Sequence, residues 1–338
     1  MTNESGRLAT GQGQALVDSG RDGRHLVPRD PSRIDTMPLV SILIPCFNAE
    51  RHVAAAIDSA FAQTHPEVEV IVVDDGSTDA SRSVIQRHAD RPGFRYETGP
   101  NRGGNATRNR LLQLARGEYV QFLDADDVLH DAKVAVCLAA LTPDLDMVFA
   151  EYVERSGQAT RSVSLPDPGQ DLVEYFIRHN VQTSLPLHRA AHLRASGGFH
   201  ESLRCCQEHE FHLRLARTVW KRVRRIPRAL CTVNRVPGSV SSNDARVYDT
   251  LCSIMTVACA SLREQDELTP ARADAIAGQL LTCSRHLARH ERADRSLSAY
   301  RLARSISPGT IGPYSPGMRA LVAVVGPVWA ERCRGLFS

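Results

Sequence analysis

The chain has 338 residues, a formal net charge of +3, 42% hydrophobic residues and 23% charged ones. That length admits one large domain, or one domain with a substantial appendage, and suffices to bury a sizeable core. So small a net charge on an ordinary globular composition gives no reason to expect nucleic acid as a partner. The nine cysteines are scattered, with no Cys-x-x-Cys pair and no zinc spacing, which points to buried free thiols in a reducing cytoplasm rather than to a disulfide framework. No stretch reaches the roughly 18 to 20 apolar residues that span a bilayer, and the N-terminus lacks a basic-then-apolar signal pattern.

Met1 to about Thr36 is rich in Gly, Ser, Asp and Arg without apolar periodicity and reads as a disordered leader over residues 1–36. Leu39 to Ile44 is an apolar run of buried-strand type, ended by Pro45-Cys46-Phe47-Asn48. From about Glu50 to Gln63, Val53, Ile57, Ala60 and Phe61 share one helical face. A second strand, Val68 to Val73, ends in Asp74 and Asp75. The turn residues Gly76-Ser77-Thr78-Asp79 follow, and a helix then runs to about Ala89. Phe94 to Glu97 is a short third strand. Asn101-Arg102-Gly103-Gly104 precedes a helix that Gly117 stops. A fourth apolar run, Tyr119 to Leu123, ends abruptly in Asp124, Asp126 and Asp127.

Alternating strands and helices with short links predict a parallel sheet with right-handed crossovers. Both Asp clusters then fall at its carboxyl edge, where open α/β sheets bind ligands. Closely spaced carboxylates there suit Mg²⁺ or Mn²⁺. The competing reading of each cluster is a turn with helix capping.

Four segments carry a family resemblance. Val40 to Glu50, Val72 to Asp79, Asn101 to Gly104 with Arg108-Asn109, and Gly117 to Asp127 resemble, in order and spacing, the motifs of family 2 glycosyltransferases. The likeness is dense from Pro38 to Asp131 and looser to about Ser242. It implies a GT-A, Rossmann-like α/β fold with a mostly parallel sheet and flanking helices. It also implies a nucleotide-sugar donor, most simply a UDP-sugar, a divalent cation (Mn²⁺ or Mg²⁺) and inversion at the anomeric carbon. By resemblance Asp126 is the principal metal ligand, with Asp127 assisting, and Asp124 lies nearer the ribose and sugar. Asp75 accepts from the base imide, with Asp74 its less certain neighbour. Pro45 and Asn48 line the base pocket, Glu50 reaches toward the ribose, and Arg108 faces the donor.

In the second half, Met147 to Val153 reads as a strand, residues 156–170 as a loop and Asp171 to His179 as a helix. Gly197-Gly198-Phe199 resembles the family's acceptor-facing turn. Family members carry Glu-Asp ahead of a helix with Leu-Arg-Leu. Here Gln207-Glu208 occupies that place, which makes Glu208 the candidate base, with Glu210 and His209 as rivals. The family's Arg-x-His step is replaced by Arg235-Val236-Pro237, leaving Arg235 as a candidate phosphate contact or a plain surface residue. The run Arg217 to Arg228 is a basic patch, read as a solvated face or as contact with an anionic acceptor or membrane.

From about Asp244 onward the chain reads as helices. The expected organisation is therefore a glycosyltransferase domain over 37–243 and a helical region over 244–338. The terminal segment Met318 to Phe337 combines an apolar run with arginines. It leaves peripheral membrane contact at the inner face, packing on the domain, or a homo-oligomer contact open. The implied acceptor is a glycan or lipid-linked glycan, as in bacterial polysaccharide biosynthesis. The alternatives are a catalytically degenerate homologue serving as a scaffold subunit, or another nucleotide-binding transferase. The latter would want a Gly-rich basic loop after the first strand, and Pro45 to Asn48 is not one.

Overall fold

A computed structural model describes residues 37–236 and 244–333. The expected leader, the segment 237–243 and the last five residues lie outside the described residues. Residues 37–338 cluster as one compact unit.

Strands β1 (Val40–Cys46), β2 (Val68–Asp74), β3 (Phe94–Thr98) and β4 (Tyr119–Phe122) pair in parallel in the order β3-β2-β1-β4. Helices α1 (Val53–Phe61), α2 (Ser81–Gln86) and α3 (Gly104–Leu114) connect them. Val40, Ile42, Leu43 and Ile44 are fully buried because helices cover both faces of this half-sheet. The chain leaves β1 on one side to make β2 and later returns on the other to make β4. That reversal opens a crevice at the carboxyl ends of β1 and β4.

Beyond β4 the sheet becomes mixed. Its further strands are β5 (Val128–Leu129), β6 (Met147–Ser156), β7 (Ala159–Val163), β8 (Pro186–Arg189) and β9 (Val223–Asn234). The order continues β4-β8-β6-β9-β5, with β7 on β6. β8 runs antiparallel to both β4 and β6, while β9 is parallel to β6. The segment expected to be a loop thus contains β7, which hairpins onto β6. Half of the basic run, Arg224, Arg225 and Arg228, lies in β9, while Arg217 is in the helix before it and Lys221 and Arg222 lie between. The strand character of β9 is masked by Pro227, which the ladder accommodates as a bulge: Ala150 pairs with Ile226, but Glu151 pairs with Ala229.

Helices α4 (Lys133–Ala140), α5 (Leu172–Arg178), α6 (Ala190–Ala195) and α7 (Gln207–Thr218) flank this half. Four more close the described chain: α8 (Asp244–Glu264), α9 (Pro270–Arg289), α10 (Ala293–Ile306) and α11 (Pro316–Cys333). The core runs without interruption from the sheet into α8, α9 and α10. Polar ties reinforce the contact. Gln279 on α9 donates to the carbonyls of Ile177 and Arg178, each at 3.0 Å, so a side chain from α9 satisfies the carboxyl end of α5. Arg272 pairs with the Asp171 cap of that same helix at 2.8 Å. All nine cysteines are free thiols.

Behind β8 the core holds His188, His209 and His212, packed with Phe176 and Trp220. Burial lowers His209 to about 4 and His212 to about 3, and holds His188 well below its usual range. An unfolded chain protonates these rings near pH 6.5, while the folded chain does not. Stability is therefore full above that pH and falls as the pH drops toward the folded values. His209 and His212 each cost about 2 kcal/mol by pH 5. The wild type is expected to lose thermal stability between pH 6.5 and 5, and His212→Phe to lose less over the same interval. Parallel pH profiles of Tm for the two proteins would contradict this account.

Candidate functional site

The site is built on the turn after β4. Asp124, Asp126 and Asp127 leave the sheet together, and each occupies a different environment. The Arg108 guanidinium from α3 pairs with Asp124 at 2.6 Å, and both groups are at least partly shielded from solvent. Asp127 is buried. It accepts from the Ser184 hydroxyl at 2.7 Å and from the Asn234 backbone N–H at 3.1 Å. Ser184 also accepts from the Asp124 N–H at 3.1 Å, so one hydroxyl ties the two ends of the turn. Burial, then the charges of Asp124 and Asp126, push the Asp127 carboxyl well up. Asp126 is raised by burial and by Asp124, with His52, at the start of α1, and Arg108 opposing.

That mutual repulsion is the observation against which a divalent cation can be tested. Hard carboxylate oxygens at a half-open rim, with the Asp124 charge pushing Asp126 up, suit such an ion, and water and phosphate would complete its shell. Among the described residues no three His, Cys, Asp or Glu side chains form a ready-made metal cage. The donor set fits a two-carboxylate site of the Mg²⁺ or Mn²⁺ kind rather than an enclosed one.

The second wall comes from the ends of β1 and β2. The Asp75 carboxylate accepts from the backbone N–H groups of Arg102 and Gly103 at 2.7 and 2.9 Å, fixing the loop that leads into α3. Gly76, at φ +74°, lies against this loop: a Cβ there would sit 2.7 Å from the Asn101 nitrogen. Asp74 is buried and accepts from the Ser77 N–H at 3.2 Å. Asn48 accepts from the Thr78 N–H at 2.8 Å. Glu50 accepts from the Ala80 N–H at 2.8 Å. Asn48 and Glu50 therefore latch the β1 loop to the β2 loop, while Pro45 stands in register with Val73.

The third wall is the turn before α7. Gly197 and Gly198 both have positive φ, and a Cβ on Gly198 would meet the Asn109 side chain at 2.4 Å. Asn109 accepts from the Phe199 N–H at 2.7 Å, and Phe199 stacks on Phe211 with ring centroids 4.0 Å apart. On α7 the two candidate carboxylates differ. Glu210 is bound to Arg214 at 2.8 Å, and Arg214 in turn grips the carbonyls of Ser196 and Gly198, both at 2.7 Å. Among the described residues Glu208 accepts a hydrogen bond from the Asn180 amide alone, at 2.8 Å. His209 is buried among α5 residues. Glu210 is thus engaged in holding the glycine turn through Arg214, while Glu208 is not.

Residues 41–195 match the profile of glycosyl transferase family 2. Over that segment the chain is similar to this family. It is 31% identical to a hyaluronan synthase of Pasteurella multocida over 201 residues, 57% of this chain and 20% of that protein. A chondroitin synthase of Escherichia coli matches at 29% identity over 55% of this chain and 28% of its own length. The chain thus spans well under half the length of these relatives. Among solved structures, S. aureus TarS in complex with UDP-GlcNAc aligns with TM-score 0.55 at 18% identity, over 79% of this chain and 90% of that one. The mannosyltransferase PcManGT of Pyrobaculum calidifontis, in complex with GDP-Man and Mn²⁺, aligns with TM-score 0.55 at 19% identity, over 89% and 88%. The fold is the GT-A fold of these glycosyltransferases.

The carboxyl ends of β1, β2 and β4 carry Pro45, Asp74, Asp75 and Asp124 to Asp127, and Arg108 joins Asp124 there. Arg235 pairs with Glu154 at 2.7 Å, one residue after Asn234, whose backbone N–H meets Asp127. Within the basic run, Arg225 engages Glu151 and Asp167, and Arg222 engages Asp144. The sequence reading missed Ser184, Asn234 and Asn180. Each acts across at least 28 residues of chain, and single Ser and Asn residues in loops carry no motif.

Replacing Ser184 by Ala removes a donor from the buried Asp127 and an acceptor from the Asp124 N–H. The expected loss is about 1–3 kcal/mol, read from denaturant unfolding. A loss below about 0.5 kcal/mol would mean that the hydroxyl does not hold the turn.

Proposed function

We propose that this chain is an inverting glycosyltransferase that moves a sugar from a nucleotide diphosphate, most simply UDP, to a glycan or lipid-linked glycan hydroxyl. The observation carrying this reading is the convergence of Asp75, Arg108 and the Asp124–Asp127 turn at one sheet edge, opposite a carboxylate, Glu208, held by a single amide. Each Asp75 oxygen accepts one backbone N–H and retains a lone pair for a base imide N–H. Arg108 and Asp124 lie between that position and the Asp126 rim.

Asp126, with Asp124, would hold a Mn²⁺ or Mg²⁺ ion. A bound ion there supplies charge stabilisation to the departing diphosphate. The remaining chemistry belongs to the chain. Glu208 takes the proton of the acceptor hydroxyl as its oxygen bonds to the anomeric carbon. The bond from that carbon to the diphosphate oxygen breaks on the opposite face, which inverts the centre. Asn180 aims the Glu208 carboxylate, and the Gly197–Phe199 turn forms the acceptor-side wall. The relatives named as synthases of glycosaminoglycan polymers, and the nucleotide-sugar complexes of the structural neighbours, support this class of donor and acceptor.

Glu208→Gln keeps the shape and the Asn180 contact region but removes the base. Transfer from a UDP-sugar is expected to fall about 10²–10⁴-fold with donor affinity retained. Glu210→Gln is expected to lower thermal stability with a smaller loss of turnover. The reverse pattern in a paired measurement of turnover and Tm would move the base to Glu210.

A further inference from the structure

Helix α11 carries an apolar surface that the fold does not use. Val322, Pro327 and Ala330 are buried, with Val322 and Ala330 packed beside Tyr314. Val324 is 83% exposed, Trp329 60% and Val325 39%. The helix breaks at Gly326, with φ 79° and ψ 167°, and Pro327 follows. Two exposed valines thus precede a corner in the chain, and an exposed tryptophan follows it.

The surroundings of this corner are cationic. The Arg332 guanidinium lies 5.3 Å from the centre of the Trp329 ring. Residues 293–333 carry five arginines against Asp294 and Glu331; of these, Arg295 is paired with Asp249, while Arg319 and Arg332 lie on α11 itself. Glu331 already pairs with Arg285 and Arg289 from α9, at 3.1 and 3.0 Å, so its charge is compensated inside the fold. An exposed indole with an arginine over it, following two exposed valines in the chain, is an amphipathic segment suited to a boundary between hydrocarbon and charged headgroups. Among the described residues no helix is long and apolar enough to cross a membrane. Contact of this kind therefore means lying along the surface.

We propose that α11 docks on an anionic lipid bilayer, seating Val324, Val325 and Trp329 at headgroup depth, with Arg319 and Arg332 against lipid phosphates. Apolar burial supplies the hold and the arginines supply the preference for anionic lipid. The inference stands apart from the transfer reaction and needs no donor or acceptor to be tested.

The chain has two tryptophans, and Trp220 is only 2% exposed, so a change in emission on lipid contact reports Trp329. The full chain is mixed with phosphatidylglycerol/phosphatidylcholine vesicles and with phosphatidylcholine vesicles alone, and followed by fluorescence and co-sedimentation. A blue shift and co-sedimentation with the anionic vesicles are expected, weakened by salt. Binding should fall about tenfold or more in Val324→Asp/Val325→Asp and in Arg319→Glu/Arg332→Glu. Unchanged Tm and circular dichroism in these surface variants exclude misfolding as the cause. Three results would each overturn the proposal. One is no binding to either vesicle. Another is binding that the variants leave intact. The third is a wild-type dimer in light scattering that Val324→Asp/Val325→Asp dissociates, which would make the patch a contact between two copies.

Discussion

Three carboxylates crowded at the end of one buried strand set the terms for the rest of this structure. A strand that is apolar on both faces must end somewhere, and β4 ends by delivering Asp124, Asp126 and Asp127 into partly dry surroundings. Left alone, such a cluster would protonate or unravel the turn. The fold answers each charge separately. Arg108 pairs with Asp124, Ser184 and the Asn234 N–H donate to Asp127, and Asp126 is pushed up by burial and by the Asp124 charge. On the proposed reading a cation would relieve this residual repulsion.

The supports for that cluster come from distant parts of the chain. Ser184 and Asn180 sit in the loop between α5 and β8. One orders the acidic turn and the other contacts Glu208. A single loop therefore aligns both sides of the proposed reaction. Its upstream anchor, α5, is capped at both ends with help from α9: Arg272 binds the Asp171 cap, and Gln279 satisfies the last carbonyls. The C-terminal helices thus brace the catalytic edge through an apolar core continuous with the sheet. α3 performs the same service on the other side, since Arg108 meets Asp124 while Asn105 and Asn109 hold the loop around Phe199.

The first half of the fold was legible because its information is local. Apolar runs ending in Asp, turn residues and amphipathic stretches each state one element and its direction. The parallel half-sheet and the edge carrying Asp75 and Asp124 to Asp127 follow from them. The second half hides its order in long-range pairing. β9 is rich in arginine and interrupted by Pro227, and it pairs as a strand with Arg225 held by Glu151 and Asp167 while a bulge absorbs the proline. Arg235 illustrates the same limit. The motif leaves it between a phosphate contact and a plain surface residue, and its ion-pair partner Glu154 comes from another strand. Spacing favours Glu208 over Glu210 as the candidate base, but it does not show that Glu210 is engaged by Arg214.

The central claim is that the β4 turn, with the β2 loop, is a metal-dependent nucleotide diphosphate site. Calorimetric titration of UDP and GDP into the full chain, with and without Mn²⁺, and into Asp126→Ala, tests it most directly. The account predicts binding of UDP with Mn²⁺ that is lost when the metal is withheld and lost again in the variant. Binding of equal strength without metal and in Asp126→Ala, or no nucleotide binding under any condition, would contradict it.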